Sequence, residues 1–198
     1  MAKIRLHIDP IGIEEKADER EWGRISRRVL RKDSIKEVTV AQLTQKLRTG
    51  HTVCPAILDG SKAADWQEQQ VFMVDIDNAD QGHPQLSQEQ ALRICDDYGL
   101  SPVISYQTFS HSDKCPKFRL VFITDDVIND PDIRCAIVER LVSIFPQSDR
   151  ACTKVHRGKI KLRMVLQRLK MVFHTGENGK KIQEEQTLKV AFVWQTIC

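Results

Sequence analysis

The segment Gln70–Asn78 has the sequence QVFMVDIDN, and the rest of the chain is organised around it. A short apolar run rich in β-branched and aromatic residues predicts a buried strand. Because side chains alternate between the two faces of a strand, Asp75 and Asp77 are expected on one face, with Val74 and Ile76 packed on the other. The core strand therefore also carries the first candidate functional residues.

Asp75 and Asp77 are two like charges at the end of this buried strand. Such a pair costs free energy unless a cation lies between the carboxylates. Carboxylate oxygens are the ligands that Mg²⁺ and Mn²⁺ prefer, so the pair predicts a magnesium or manganese site. The alternative interpretation is structural, namely a strand that runs into the polar turn at 78–82 without binding a metal.

The composition is that of a globular protein with one core, or with one core and a small appendage. The chain has 198 residues, of which 41% are hydrophobic and 29% charged. No apolar run approaches the roughly 18 residues of a membrane span, and the N-terminus has no apolar signal region. These features predict a cytoplasmic protein with no membrane partner. The six cysteines include no Cys-x-x-Cys pair, which argues against structural zinc and disulfides and favours buried thiols.

The net charge of +3 is unevenly distributed along the chain. Residues 150–198 hold eleven of the 30 basic and three of the 27 acidic residues, a net charge of +8, which leaves −5 for the other 149 residues. An acidic part joined to a basic segment is typical of a protein that binds cations and also meets a polyanion. A solvated basic tail is the alternative.

Strands and helices interleave in mixed order, which predicts an α+β or mixed α/β domain. Strands are predicted at 3–8, 35–38, 52–58, 70–78, 102–108, 117–123 and 188–194, and helices at 13–32, 39–47, 87–98 and 132–145. Capping residues mark two helix starts, Thr39 and, with Gln90 three residues on, Ser87. The helix at 13–32 is expected to carry a basic stripe of Arg24, Arg27, Arg28 and Arg31, which either contacts phosphates or is simply its solvated side.

A second group of polar residues follows the strand at 102–108. Ser110 and His111 lie in the connection to the next strand, on which Lys117 and Arg119 alternate and so share a face. A hydroxyl, an imidazole and two cations suit a triphosphate, which accepts charge-assisted hydrogen bonds. Asp149 is a lone acid after the following helix, and a third carboxylate would complete a two-metal site for phosphoryl transfer. The structural alternatives are a polar hairpin loop, a surface arginine and a turn or cap aspartate.

In this order the two motif blocks resemble the archaeo-eukaryotic primase (primase-polymerase) superfamily. The resemblance is closest to the primase domains of phage, plasmid and integrative-element replication proteins. It is carried by Phe72–Asn78 (FMVDIDN), Ser105–His111 (SYQTFSH) and Pro116–Phe122 (PKFRLVF), with Gly50–Leu58 as the lead-in strand. Thirty-four positions separate Asp77 from His111, and the similarity extends over roughly residues 35–157.

The resemblance implies an α+β, primase-like catalytic core in which an RRM-like mixed sheet is flanked by helices. Asp75, Asp77 and Asp149 would then be the catalytic metal ligands for Mg²⁺ or Mn²⁺. Ser110, His111, Lys117 and Arg119 would bind the nucleotide. The family pattern places an apolar residue before the third acid, where this chain has Ser148.

The implied activity is template-directed nucleotidyl transfer, as a DNA primase or polymerase in mobile-element replication. Its partners would be a single-stranded DNA template or primer, NTPs or dNTPs, and a replicative helicase that this chain does not contain. Residues 1–157 would form the catalytic domain. Residues 158–198 would be a basic segment, the divergent or truncated end of the same domain.

Two other classes of function stay open. The chain can be a catalytically incomplete primase-like fragment that serves as a nucleic-acid-binding module. Asp-x-Asp is also used by metal-dependent nucleotide-sugar transferases, although the Ser110-His111 and Lys117-x-Arg119 block argues against that reading.

Overall fold

A computed structural model of the chain describes residues 3–78 and 82–149. These residues form seven strands and four helices, with single 3₁₀ turns at Lys32–Ser34 and Ala63–Asp65. The elements are β1 (Ile4–Gly12), α1 (Glu19–Val29), β2 (Ile35–Val38), α2 (Val40–Arg48), β3 (His51–Cys54), β4 (Ala56–Leu58), β5 (Trp66–Ile76), α3 (Gln88–Asp97), β6 (Ile104–Gln107), β7 (Phe118–Ile128) and α4 (Pro131–Ile144). The α+β class is confirmed. The strand predicted at 188–194, the domain boundary at 157 and the basic segment lie outside the described residues.

The strands form two sheets, of order β2-β1-β3 and β4-β5-β7-β6. Every strand pair in the described ranges is antiparallel, so the expected mixed sheet is not found there. The reason is that β7 lies between β5 and β6 and separates these two parallel strands. The single strand predicted at 52–58 is also wrong. It is interrupted at Pro55, which has no N–H to donate, and continues as β3 in one sheet and β4 in the other.

β5 is covered on both faces, which explains its uninterrupted apolar run. On one face, alternate residues of β5 and β7 pack under α3 and α4. On the other face, β5, β6 and β7 pack against the three-stranded sheet and α2. The first cluster includes Phe72, Val74, Ile76, Phe118, Leu120, Phe122, Cys95, Ile137 and Leu141, and the second Val71, Met73, Ile104, Tyr106, Val121, Ile4, Leu6, Ile8, Leu43 and Leu47.

The predicted capping box of Ser87 with Gln90 is confirmed, and so is the predicted cap at Thr39, which forms a capping box with Gln42. The predicted start of the first helix at Ile13 is wrong. β1 continues to Gly12, which pairs with His51, and Ile13 donates its N–H to Gly50 at 3.0 Å. The helix begins only where Asp18 supplies an N-cap by accepting from the amide of Glu21.

Arg28 of α1 does not belong to an exposed basic stripe. Its guanidinium donates two hydrogen bonds to the buried carboxylate of Asp9, from Nε at 2.5 Å and from Nη2 at 2.7 Å. The residue lies on the inner side of the helix with Ile25 and Val29. The exposed arginines of α1 and the turn after it are instead Arg20, Arg24, Arg27 and Arg31.

The four cysteines in the described ranges are free thiols. Cys95 and Cys135 are buried, and Cys54 and Cys115 are half-buried. Burial raises the pKa of Cys54 to about 11 and of Cys95 to about 12, so both stay protonated at neutral pH. Within the described ranges, no helix combines the length and the apolar character needed to cross a bilayer.

His7 is fully buried in β1 and is held as a neutral ring. Ser34 donates its hydroxyl proton to the carbonyls of Val29 or Arg31, so its oxygen accepts from Nδ1–H of His7 at 2.8 Å. The other nitrogen, Nε2, accepts from the amide of Leu58 at 3.3 Å. Burial lowers the pKa of His7, because a charged ring here is poorly solvated.

We therefore expect acid to destabilise the fold through His7. The unfolded histidine takes up a proton as the pH falls through about 6.5, whereas the folded one resists protonation. The stabilisation is complete above that pH and is lost as the pH falls towards the lower folded pKa. The slope is at most about 1.4 kcal/mol per pH unit for one proton. Urea unfolding between about pH 7 and 5.5 measures this slope, and His7→Gln should flatten it.

The matched control is His83→Gln, which removes an exposed histidine and should leave the slope unchanged. Equal slopes in the two variants would contradict the assignment.

Candidate functional site

The register between β5 and β7 brings the predicted acids opposite the predicted cations. Asp75 is directly opposite Arg119, and Ile76 is opposite Phe118. Just beyond this last pair, Asp77 and Lys117 form an ion pair. The two Asp/cation pairs lie on the face of the sheet turned away from α3 and α4, at the end where β5 stops.

Arg119 is the buried member of this group, with only 1% of its side chain exposed. Its Nη2 donates to Asp75 Oδ2, and its Nη1 donates to the hydroxyl of Tyr106 at 3.4 Å. Tyr106 is the residue opposite Arg119 on β6. Arg119 is thus a central-strand residue and not the edge residue of the structural alternative. Because Arg119 is buried and hydrogen-bonded to Asp75, it is placed to orient this carboxylate and is poorly accessible to a phosphate.

The Lys117–Asp77 pair is more accessible. Lys117 Nζ lies 2.5 Å from Asp77 Oδ1, with 22% and 42% of the two side chains exposed. The hydrogen bond to Asp77 raises the pKa of Lys117, so the ammonium is charged at any physiological pH. Because both groups face water and lysine has a flexible stem, this pair can open at low cost.

His111 lies against the same lysine. After the rung in which the amide of Thr108 donates to the carbonyl of Lys117, the chain turns, and His111 N–H donates to Thr108 O at 3.0 Å. Nδ1 of His111 accepts from the amide of Lys117 at 3.1 Å. In the neutral ring the proton is therefore on Nε2, which leaves an N–H donor for a ligand. Ser110 is exposed at the turn.

Asp149 reaches the site through a short backbone bridge. Ile76 and Ser148 pair as antiparallel neighbours, flanked by hydrogen bonds from Asp149 N to Asp75 O at 2.9 Å and from Asp77 N to Gln147 O at 3.3 Å. Asp149 is thus opposite Asp75 on the side away from β7. Asp149, Asp75, Arg119 and Tyr106 form one continuous rung across the sheet. Asp149 is therefore more than a turn or cap residue.

The same bridge determines the environment of the Ser148 side chain. As the partner of Ile76 it faces the helix side, where its hydroxyl is buried and has no hydrogen-bond partner within 3–78 and 82–149. An apolar side chain would lose no hydrogen bond at this position.

Asn78 is a site residue that sequence reasoning missed. Its backbone has φ of +51°, a left-handed conformation that asparagine tolerates better than most residues. Its buried amide donates to Leu86 O at 2.8 Å and to Pro116 O at 2.5 Å, and its Oδ1 accepts from Leu86 N–H at 2.8 Å. Asn78 therefore ties the end of β5 to the start of the α3 region and to the residue before Lys117. The only sequence signal was an asparagine directly after the acidic pair.

The carboxylates fit a hard divalent cation in donor type but do not form a ready ligand set. Within 3–78 and 82–149, no three His, Cys, Asp or Glu side chains are grouped closely enough to hold a metal. The cations that offset Asp75 and Asp77 here are Arg119 and Lys117. An ion would therefore have to displace Lys117 from Asp77, with Asp75 and Asp149 as neighbouring oxygen donors.

Comparisons of the chain with protein-family models, with curated proteins and with solved structures found no match. The site is therefore interpreted from its own geometry, and the primase-like reading stays a proposal.

The two ion pairs should differ sharply in their effect on stability. Asp75→Ala removes the carboxylate that accepts from the buried guanidinium of Arg119, and we expect a loss of about 3–5 kcal/mol in the free energy of unfolding. Asp77→Ala removes an accessible pair and should cost at most about 1 kcal/mol. Asp75→Asn keeps an oxygen acceptor for Arg119, so its loss of unfolding free energy should lie between those of the two alanine variants. Urea unfolding of the three variants measures this order, and equal losses for the two alanine variants would show that Arg119 does not depend on Asp75.

Proposed function

We propose that the chain is a template-directed nucleotidyl transferase of the primase-polymerase type. The observation that carries the proposal is the convergence of three acids, His111 and Lys117 at one end of the two central strands. Asp149 is more than 70 residues away from Asp75 and Asp77 in the sequence, yet the backbone bridge aligns it with Asp75 at the same end of the sheet. A metal-assisted phosphoryl transfer site needs this combination of carboxylates and cationic or neutral donors.

The order of the elements supports the proposal. β5, α3, β6, β7 and α4 are followed by the bridge at Ser148, and β5 and β7 are central. This is the β-α-β-β-α-β succession of a ferredoxin-like or RRM-like unit. The resemblance to primases implies an RRM-like core of this element order, although with a mixed sheet instead of an antiparallel one.

The residues have different proposed roles. Asp75, Asp77 and Asp149 would hold Mg²⁺ or Mn²⁺, which when bound stabilises the attacking and leaving oxygens of the transfer. Lys117 and Nε2–H of His111 would bind the triphosphate of the incoming NTP or dNTP, and a primed single-stranded DNA would supply the 3′-hydroxyl. Arg119 would position Asp75. Ser110 is exposed on the same turn and is the weakest candidate for a phosphate contact.

The local charge supports this division of roles. Lys117 and Arg119 offset the charges of Asp75 and Asp77 while no ligand is present. When a nucleotide brings both phosphates and ions, Lys117 can leave Asp77 for the phosphates, and Asp77 becomes free for an ion. In this exchange the Lys117–Asp77 ion pair would be replaced by a contact of Lys117 with phosphate and a contact of Asp77 with a cation.

This exchange predicts opposite effects of Lys117→Met on the two ligands. Mn²⁺ alone should bind more tightly, by about three- to tenfold, because one competing cation is removed from Asp77. The nucleotide should bind more weakly by a similar factor, because a phosphate contact is lost. Electron paramagnetic resonance of free Mn²⁺ measures the first affinity, and calorimetry with a nonhydrolysable dNTP the second.

The control for this experiment is Lys114→Met, which removes an exposed lysine from the same hairpin. It should change neither affinity. If Lys117→Met changes both affinities in the same direction, or neither, the proposed exchange is wrong.

The activity itself is tested by incorporation of labelled nucleotide on a primed single-stranded template with Mn²⁺. We expect incorporation by the native chain and none by Asp75→Asn/Asp77→Asn. The asparagine variants are preferred to alanine because an amide oxygen at position 75 can still accept a hydrogen bond from Arg119, so that loss of activity is not confused with loss of the fold.

A charge-matched control is Asp125→Asn/Asp126→Asn, which changes two exposed acids in the other half of β7 and should retain activity. Absence of incorporation and of nucleotide binding in the native chain would overturn the proposal.

The second candidate is a nucleic-acid-binding module without catalysis. It is favoured by the ion pairs of Asp75 with Arg119 and of Asp77 with Lys117, because each of these two acids already has a cationic partner. In that case the native chain and Asp75→Asn/Asp77→Asn should bind DNA equally, with the same salt dependence, and neither should incorporate nucleotide.

A further inference from the structure

The outer face of α1 carries three arginines with no structural task in the described part of the chain. Arg20, Arg24 and Arg27 are exposed, and none of them forms an ion pair within 3–78 and 82–149. We call these three residues the arginine face. They are spaced by four and three positions, which places them in a row along one side of the helix.

The arginine face is held rigidly. Opposite to it, Ile25 and Val29 are buried and Arg28 is fixed by two hydrogen bonds to Asp9. Asp18 caps the first turn. The orientation of the row is therefore set by the core, and seven residues of helix separate its ends by about 10 Å.

This row contains two like-charge pairs, which the Glu21/Arg24 pair of the same helix offsets only in part. Like charges three or four positions apart destabilise a helix by about 0.2–0.5 kcal/mol per pair, and Arg20/Arg24 and Arg24/Arg27 are two such pairs. A polyanion that neutralises the row removes this repulsion. A length of about 10 Å corresponds to about three nucleotides of one strand, measured as 3.4 Å each along the axis of a duplex.

We propose that the arginine face binds the sugar-phosphate backbone of a nucleic acid. The choice of a nucleic acid over other polyanions rests on the proposed function. A lipid surface is disfavoured because no large apolar side chain is exposed on α1, where Ile25 and Val29 are buried and Trp22 is half-buried. The contact is to phosphates and carries no base specificity.

The test is fluorescence anisotropy of labelled single-stranded and duplex oligonucleotides with the full chain, over about 50–200 mM salt. Arg20→Gln/Arg24→Gln/Arg27→Gln keeps helix propensity but removes three charges. We expect at least about tenfold weaker binding at the lowest salt. The slope of log K against log salt should become shallower, by about 2 units on single strands if all three residues meet phosphates. Replacement of the same three residues by lysine should retain most of the affinity.

The charge-matched control is Lys46→Gln/Arg48→Gln/Lys62→Gln, which removes three exposed charges elsewhere. Equal loss of affinity in both glutamine variants would overturn the inference, since only total charge would then matter. The glutamine variant of the arginine face is also tested with phosphatidylglycerol vesicles. If it loses binding to the vesicles while its salt slope on DNA is unchanged, the inference is overturned in favour of a membrane.

The incorporation assay separates this inference from the proposed function. If Asp75→Asn/Asp77→Asn binds DNA like the native chain and the arginine-face variant does not, the inference stands whether or not nucleotide is incorporated. If the native chain incorporates nucleotide but the arginine-face variant binds DNA normally, the proposed function stands and this inference fails.

Discussion

The antiparallel register between β5 and β7 is the constraint on which the other features depend. One alignment of the two strands places Phe72, Val74 and Ile76 under the helices and sets Asp75 opposite Arg119. A slip by one residue would turn the apolar residues away from α3 and α4 and bring the acids into that core. The packing of the sheet and the chemistry of its end are therefore specified by the same pairing, and neither can change without the other.

The sheet tolerates charge in its interior because each charge is matched by a neighbour on the next strand. Burying a guanidinium as fully as that of Arg119 is costly by itself, and the hydrogen bonds to Asp75 and Tyr106 offset that cost. Exposure increases along the face, from Arg119 at 1% to Asp77 at 42%. The inner pair is thus a fixed part of the core, whereas the outer pair can exchange partners with a ligand.

The sequence predicts which site residues share one face of a strand, but it does not predict which residues lie opposite them on the neighbouring strand. Strict alternation places Asp75 with Asp77 and Lys117 with Arg119, but periodicity within one strand carries no information on which strands are neighbours. The cross-strand pairs therefore emerge only from the structure. The same limit explains Arg28, which shares helical spacing with exposed arginines yet turns inward because Asp9 of β1 lies there. The structural role of Asn78 is not predictable from the local sequence, because it depends on hydrogen bonds to Leu86 and Pro116 in other parts of the chain. The α+β class, the cap at Thr39 and the capping box at Ser87 are predictable because they follow from local pattern and composition.

The buried amide of Asn78 has a consequence for how the chain can vary. Asn78 and Leu86 are joined by hydrogen bonds in both directions, so the two ends of the intervening segment are fixed to each other next to the acidic pair. The closure entropy of a loop grows slowly with length, by about 0.6 kcal/mol for each doubling. Residues can thus be inserted or exchanged between these two positions with little effect on Asp75 and Asp77. This connection is therefore a suitable place to graft a new recognition loop beside the site.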